Sequence, residues 1–195
     1  MSQAAPSSKS GQLVVMSGPA GAGKSTVVRE VLKTCRLPLV FSVSATTRSP
    51  RPGEVDGVDY FFLTREEFAR RREQGEFVES KEYAGNWYGT LQSQVASGLA
   101  AGKWVLLEID VQGTLAVLEK YPHALTIFIH SGSVEELERR LRHRNTETED
   151  ALQRRLAAAR HELGFINRYK HNVINRNVQD AVSEVCEILI QHAKE

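Results

Sequence analysis

The sequence predicts an α/β fold in which helices cover a parallel sheet. Short apolar runs alternate along the chain with segments whose apolar residues recur at helical spacing, which is typical of strands joined by crossover helices. The chain has 195 residues, of which 41% are hydrophobic, and this is enough to bury the core of one domain. We therefore expect one α/β domain.

The individual elements follow from hydrophobic periodicity and capping residues. Strands of the parallel sheet are predicted at residues 13–16, 39–43, 104–109, 125–129 and 173–174. Helices are predicted at 24–35, from Ser133 to 144, at about 148–163, and from Val178 toward the C-terminus. The pairs Ser133 with Glu136 and Thr146 with Glu149 have the spacing of capping boxes, which predicts where two of these helices begin.

The alternation breaks between residue 44 and about residue 101. Two predicted strands, 60–63 and 76–83, flank a helix that Thr64 and Glu67 would cap. We therefore predict an inserted mixed α+β subdomain at about 44–101, between core segments 11–43 and 102–195. Residues 1–10 are small and polar and are predicted to form a disordered tail.

Composition argues against several classes of function. A formal net charge of +1 disfavours bulk attraction to nucleic acid or to a membrane, and no segment has the length and apolarity of a membrane span. The N-terminal residues lack the apolar run of a signal peptide. The two cysteines, Cys35 and Cys186, are far apart in sequence, which predicts packed thiols in a reducing cytoplasm rather than a disulfide framework or a metal cluster.

The most specific motif is GPAGAGKS at residues 18–25, which matches the P-loop pattern G-x-x-x-x-G-K-[ST] between a predicted strand and a predicted helix. Its glycines let backbone N–H groups turn toward an anion, and the helix N-terminus adds its positive end. Lys24 is predicted to reach the outer phosphates and Ser25 to ligate magnesium. The residues assigned to the nucleoside triphosphate are Gly18, Pro19, Ala20, Gly21, Ala22, Gly23, Lys24, Ser25 and Thr26.

A second set of polar residues follows the apolar run WVLLEID. Glu108 and Asp110 come at the carboxyl end of this predicted strand, where they would lie beside the phosphates and hold the water shell of a metal. The alternative is a pair of acids that face solvent. Next to a P-loop, the metal-associated role is favoured.

The stretch SATTRSPRPGEVDGVDYFFL, residues 44–63, is predicted to bind a second phosphate. Arg48 and Arg51 carry planar guanidinium groups suited to bidentate phosphate contacts, and Tyr60 and Tyr88 add hydroxyl donors. Without the P-loop, this stretch would be equally consistent with a solvated, charged turn.

Together these motifs resemble the guanylate kinases, which convert GMP to GDP at the expense of ATP. The segments that carry the resemblance, in the family's order over about residues 12–191, are SGPAGAGKST, FSVSATTRSPRPGEVDGVDYFF, EFVES, GNWYGT and LEIDVQG. The resemblance implies a P-loop three-layer core with a parallel sheet, a GMP-binding subdomain at the predicted insertion, and a mobile helical lid at about 139–160. The sequence departs from the family's pattern at 174–181, INRNVQDA, where a VNDD stretch is typical.

The resemblance also implies the residues that bind GMP. Arg48, Arg51, Tyr60 and Tyr88 would hold its phosphate with support from Glu54, and Ser44, Glu79, Thr90 and Asp110 would surround the guanine. The chemistry of Glu79 supports this assignment, because a carboxylate accepts hydrogen bonds from both N1–H and the exocyclic amino group of guanine. Adenine presents an acceptor at N1 and would repel it.

The lid of the family carries two arginines that match Arg144 and Arg155 here. They would close over the transferring phosphoryl group and offset its charge, together with Lys24 and Mg²⁺. The expected reaction is in-line attack of a GMP phosphate oxygen on the γ-phosphorus, without a general base. The remaining arginines of this segment are expected to form solvated helix faces paired with glutamates.

Two alternatives remain open from the sequence. Guanylate-kinase-like domains also occur as catalytically inactive protein-binding modules, although these usually lose P-loop residues that are intact here. A second alternative is a kinase for another small phosphorylated acceptor. The oligomeric state does not follow from the sequence.

Overall fold

The computed structural model describes residues 11–143 and 149–194. The strands are β1 (Gln12–Ser17), β2 (Leu39–Phe41), β3 (Ala45–Thr46), β4 (Phe61–Phe62), β5 (Phe77–Tyr83), β6 (Asn86–Leu91), β7 (Trp104–Glu108), β8 (Leu125–His130) and β9 (His171–Ile174). The helices are α1 (Lys24–Thr34), α2 (Arg65–Glu73), α3 (Gln92–Ala100), α4 (Val111–Lys120), α5 (Val134–His143), α6 (Glu149–Leu163) and α7 (Val178–His192). A short 3₁₀ turn, Ile166–Arg168, precedes β9.

Five strands form a sheet in the order β2-β7-β1-β8-β9. The pairs β2–β7, β1–β8 and β8–β9 are parallel. Every residue of β8 is buried, which is typical of a parallel strand with both faces covered. The predicted α/β fold with a parallel sheet is therefore confirmed.

The described chain divides into two compact units, residues 11–13 with 38–106 and residues 14–37 with 107–194. The first unit contains a second sheet in the order β4-β3-β6-β5, in which β3–β4 is parallel and the β6 pairings are antiparallel. Phe68 of α2 stacks on Phe77 of β5, with ring centroids 4.4 Å apart, and both belong to the core that supports this sheet. The second unit holds β8, β9 and the helices α1, α4, α5, α6 and α7, and α1 packs against α7 within it.

Capping residues begin the helices largely where the sequence predicts. Thr64 Oγ1 accepts from Glu67 N at 3.1 Å and caps α2, and Ser133 Oγ accepts from Glu136 N at 3.2 Å at the start of α5. The predicted cap at Thr146 lies outside the described residues.

Several elements were not predicted, namely β3, β6, α3 and α4. Strand β6 follows a tight turn in which Ala84 and Gly85 both have positive φ, at 49° and 74°, as a two-residue hairpin turn requires. Helix α4 begins at Asp110, whose Oδ1 accepts from Gly113 N at 2.8 Å. Asp110 was predicted only as a ligand-binding residue, and its role as the cap of α4 was not predicted.

Both cysteines are free and half-buried. Burial, together with the neighbouring Cys35 thiol, raises the pKa of Cys186 to about 11, which keeps this thiol protonated at neutral pH. No helix in the described parts of the chain is long and apolar enough to cross a bilayer.

Candidate active site

The loop between β1 and α1 has the backbone geometry of an anion-binding turn. Gly18, Gly21 and Gly23 have φ values of 137°, 96° and 86°. A Cβ on Gly18 would lie 1.9 Å from the carbonyl oxygen of Ile129, so the loop approaches β8 too closely for any side chain at this position. The glycines of the motif are therefore required by the path of the chain.

The N-terminus of α1 is open to an anion. Gly23 is its N-cap residue, and within the described structure no side chain caps the helix and its first turn holds no acidic residue. A cavity of about 350 Å³ lies here, lined by Ala20, Gly21, Gly23, Lys24, Ser25 and Thr26. Its lining carries backbone N–H groups, an ammonium group and hydroxyl groups, which is the chemistry that binds a polyphosphate.

Lys24 is folded back over this loop. Its Nζ donates to the carbonyl oxygens of Gly18 at 2.6 Å and Pro19 at 3.0 Å. Burial lowers the pKa of Lys24, and the carboxylates of Glu108, Glu162 and Asp110 act against that shift. A negatively charged ligand in the loop would favour the charged ammonium in the same way.

Ser25 and Glu108 meet at the start of α1. Ser25 Oγ donates to Glu108 Oε1 at 2.6 Å, so the acid at the end of β7 reaches the hydroxyl of the P-loop serine. Asp110 lies two residues further on, where one carboxylate oxygen caps α4. Glu108 therefore lies beside Ser25, as predicted for the two residues next to the phosphates. Asp110 has a structural role as a helix cap in addition to any contact with a ligand.

The other unit carries a cluster built around Arg48. Its guanidinium makes a bidentate pair with Glu54, with both N–O distances at 2.9 Å, and Glu54 also accepts from Arg51 N at 2.7 Å. The bond from Arg48, followed by that from Arg51, holds the pKa of Glu54 below its usual value. The guanidinium carbon of Arg48 lies 5.4 Å from the ring centroid of Tyr60, and the Tyr60 and Tyr88 rings meet edge to face at 6.1 Å. Four of the predicted phosphate-site residues, Arg48, Glu54, Tyr60 and Tyr88, are thus neighbours.

Glu79 and Thr90 form a pair on adjacent strands. They are opposite each other in the β5–β6 register, and Thr90 Oγ1, which is buried, donates to Glu79 Oε1 at 2.7 Å. The register shifts between Phe77 and Glu79, and such an irregularity re-aims a side chain. Ser44 directly precedes β3, in which Ala45 lies opposite Gly89 of β6. Extending this antiparallel register by one residue places Ser44 opposite Thr90. Ser44, Glu79 and Thr90 therefore belong to one end of this sheet.

Of the two predicted lid arginines, Arg144 lies outside the described residues. Arg155 lies on α6, close enough to Lys24 for its charge to lower the lysine pKa. Arg139 and Arg140 pair with Glu136, and Arg142 pairs with Glu138 and Glu149. Arg139 and Arg142 confirm the expectation of solvated helix faces paired with glutamates, whereas Arg140 is less exposed and also donates to the carbonyl oxygen of Asn175.

Sequence reasoning missed two residues near the P-loop. Glu162 acts on the charge of Lys24, and it follows Arg155 by seven residues, so both lie on one face of α6. The seven-residue spacing could have indicated from the sequence that Glu162 lies on the same helix face as Arg155. Asn175 donates from Nδ2 to the carbonyl oxygen of Ala22 at 2.8 Å, across 153 positions of sequence, and no local pattern indicates it.

Comparisons with known proteins agree on one family. The family model described as guanylate kinase matches residues 10–192. The guanylate kinase of Rhodopirellula baltica is 58% identical over 188 residues, covering 94% of this chain and 90% of that protein, and that of Rubrobacter xylanophilus is 49% identical over 179 residues, covering 92% and 93%. A crystal structure of guanylate kinase from Anaplasma phagocytophilum superposes with a TM-score of 0.78 at 32% identity, covering 96% of this chain and 88% of that one. These similarities show that the chain belongs to the guanylate kinase family.

Proposed function

We propose that the chain transfers the γ-phosphoryl group of MgATP to GMP, giving ADP and GDP. The observation that carries this proposal is the Glu79–Thr90 pair in a chain that also has an intact P-loop. The threonine hydroxyl fixes the carboxylate as an acceptor, and an acceptor is what the N1–H and amino groups of guanine require. Membership in the guanylate kinase family supports the same reaction.

The donor nucleotide is assigned to the loop of residues 18–26. The backbone N–H groups and the α1 N-terminus would bind the phosphates, and Lys24 would exchange the carbonyls of Gly18 and Pro19 for phosphate oxygens. Those carbonyls are weaker partners for an ammonium group than a phosphate is, so the exchange is favourable.

The residues at the start of α1 fit a magnesium ion. Ser25 and Glu108 offer oxygen atoms, which Mg²⁺ prefers, and Mg²⁺ usually takes the rest of its shell from substrate phosphates and water. In the described parts of the chain, no three His, Cys, Asp or Glu side chains converge as ligands, so this mode of binding needs the nucleotide. Ser25 would ligate the ion, with Glu108 and Asp110 acting through water. When bound, the ion neutralises charge on the β- and γ-phosphates.

The acceptor is assigned to the unit that holds β3 to β6. Arg48, Arg51, Tyr60 and Tyr88 would bind the GMP phosphate, and Glu54 would keep Arg48 in position through its bidentate pair. Ser44, Glu79, Thr90 and Asp110 would surround the guanine. We assign residues 44–101 as the GMP-binding subdomain and about 139–160 as the lid.

The chemical step needs positioning and charge stabilisation more than covalent chemistry. An oxygen of the GMP phosphate is already ionised and attacks the γ-phosphorus in line, while the bond to the β-phosphate oxygen breaks and ADP leaves. Lys24, Arg48, Arg144 and Arg155 are the residues that would stabilise the negative charge on the transferring group. The reaction is assigned to the cytoplasm, a reducing compartment with which the free thiols of Cys35 and Cys186 are compatible.

The test is coupled ADP release from the purified protein with ATP and Mg²⁺, comparing GMP, dGMP, AMP, CMP and UMP. Selective turnover with GMP is the expected result, and circular dichroism establishes that the protein is folded. Turnover with another acceptor would overturn the guanine assignment. No turnover from folded protein would favour a protein-binding module.

A further inference from the structure

The side chain of Asn175 contacts the P-loop from outside the nucleotide cavity. Its Nδ2 donates to the carbonyl oxygen of Ala22 at 2.8 Å. Asn175 is only 3% exposed and Ala22 is fully buried, so this bond is shielded from water. A buried carbonyl that lost this donor would be left without a compensating hydrogen bond, which is costly.

Asn175 is itself held in place by two neighbouring elements. Its backbone N–H donates to the carbonyl oxygen of His130, at the end of β8, at 2.7 Å. Its own carbonyl oxygen accepts from Arg140 Nη2 at 2.8 Å, and Arg140 Nε in turn donates to Glu136 Oε1 at 2.6 Å. The backbone of Asn175, from which the carboxamide extends, is therefore held by β8 and α5.

The bond to Ala22 controls the direction of a P-loop amide. In a trans peptide, the C=O and N–H point in opposite directions. Since the Ala22 carbonyl points at Asn175, the N–H of Gly23 in the same peptide points away from Asn175. Gly23 has φ 86°, and a Cβ there would lie 2.4 Å from Asn175 Nδ2. Only glycine at position 23 therefore leaves room for the Asn175 side chain.

We propose that Asn175 is a positioning residue for the donor nucleotide. By anchoring the Ala22–Gly23 peptide, it sets the direction of the Gly23 N–H and of the amide that follows at the N-terminus of α1. This inference rests on the proposed function, since it takes ATP as the ligand of the loop. GMP binding is not expected to depend on Asn175.

The test compares Asn175→Asp with Asn172→Asp in the full chain. The first change replaces the amide donor with a carboxylate of the same shape that faces the Ala22 carbonyl and repels it. The second makes the same chemical change at an exposed position of β9. The KM for ATP, kcat, and the shifts in Tm caused by a non-hydrolysable ATP analogue and by GMP are measured for each.

We expect Asn175→Asp to raise the KM for ATP by about ten- to hundredfold and to abolish most of the analogue-induced Tm shift, while the GMP-induced shift is retained. Asn172→Asp should match the wild type. A purely structural role would lower Tm without separating the two ligands. Wild-type turnover with GMP tests the proposed function separately, because the Tm shifts do not depend on turnover.

A folded Asn175→Asp variant with wild-type KM for ATP and a full analogue-induced shift would overturn the proposal. If that variant does not fold, Asn175→Ala, which removes the donor without adding charge, takes its place and must show the same separation of ATP from GMP. Failure of both variants to fold would also overturn it, since Asn175 would then act in folding rather than in nucleotide positioning.

Discussion

The proposed donor region and the proposed acceptor region would bind phosphate in different ways. In the P-loop, the backbone provides most of the site: glycine conformations turn N–H groups inward, and an uncapped helix N-terminus adds its partial charge. Around Arg48, side chains would provide the site, and Arg48 is fixed by its bidentate pair with Glu54. In the same unit, the proposed guanine-binding carboxylate of Glu79 is fixed by Thr90.

This difference predicts how each region tolerates substitution. A backbone site depends on a few residues that cannot be replaced, because its remaining donors carry no side chain. A site made of paired side chains distributes its binding over several contacts, so a single substitution should have a smaller effect there.

The largest effect is expected for Lys24→Ala. It removes the one ammonium group of the P-loop, and turnover should fall by about 10³-fold because its charge is expected to stabilise the transferring phosphoryl group. Steady-state ADP release measures this effect. Lys33→Ala is the control, because Lys33 is an exposed lysine on the same helix that pairs with Glu30. GMP binding should be unchanged in both variants, and near-normal turnover of Lys24→Ala would remove the P-loop from the mechanism.

Arg155→Ala should come second, with kcat lower by about 10²-fold and the KM for GMP little changed. Its half-buried side chain acts electrostatically on Lys24. The adjacent Arg154 is exposed, and Arg154→Ala should have wild-type kinetics. Equal kinetics for the two variants would mean that α6 contributes no charge to the transfer.

Glu79→Gln should weaken the use of GMP by about ten- to hundredfold, measured as kcat/KM. The amide no longer accepts two hydrogen bonds from guanine, while the backbone-built donor site keeps its affinity for ATP. Glu82→Gln, an exposed position on the same strand, is the matched control. If Glu79→Gln keeps the acceptor preference of the wild type, the guanine assignment is wrong.

The contrast between a site built by the backbone and a site built by side chains also explains which parts could be predicted from the sequence. The P-loop lies in eight consecutive residues between a strand and a helix, so its geometry follows from local chemistry alone. Asp110 fits two roles, as the N-cap of α4 and as a residue that contacts a ligand. Its short polar side chain caps α4 whether or not it contacts a ligand. The residue type alone does not separate a helix cap from a ligand-binding carboxylate.

The acceptor region and Asn175 depend on contacts that only the fold creates. Glu79 meets Thr90 through the register of a hairpin whose turn, at Ala84 and Gly85, was not predicted. The resemblance to a family identified these residues, whereas their spacing did not. Asn175 lies 153 positions from Ala22, so no local pattern predicts their contact. The comparison with the family's pattern marked residues 174–181 only as a departure from that pattern, and it did not indicate a contact with the P-loop.

The smallest effect is expected for Glu54→Gln, because Glu54 acts on the acceptor only through Arg48 and Arg51. The KM for GMP should rise about three- to tenfold at pH 7, since a neutral amide orients Arg48 less firmly than the bidentate carboxylate does. Glu73→Gln, at an exposed position of α2, should have no effect.

The pH dependence of that effect distinguishes a paired carboxylate from a solvated one. The pKa of Glu54 in the folded protein is lowered, first by the bond from Arg48 and then by that from Arg51. The contribution of Glu54 to the orientation of Arg48 is therefore fully present above the ordinary glutamate pKa of about 4.3. It is lost only as the pH falls through the lowered pKa of Glu54. The ratio of KM values between Glu54→Gln and the wild type should stay constant from about pH 8 down to about pH 4, where a solvated glutamate would already be mostly protonated. A ratio that shrinks between about pH 5 and pH 4 would mean that Glu54 titrates as a solvated carboxylate, so that Arg48 is not held by an ion pair and the acceptor region has no fixed guanidinium.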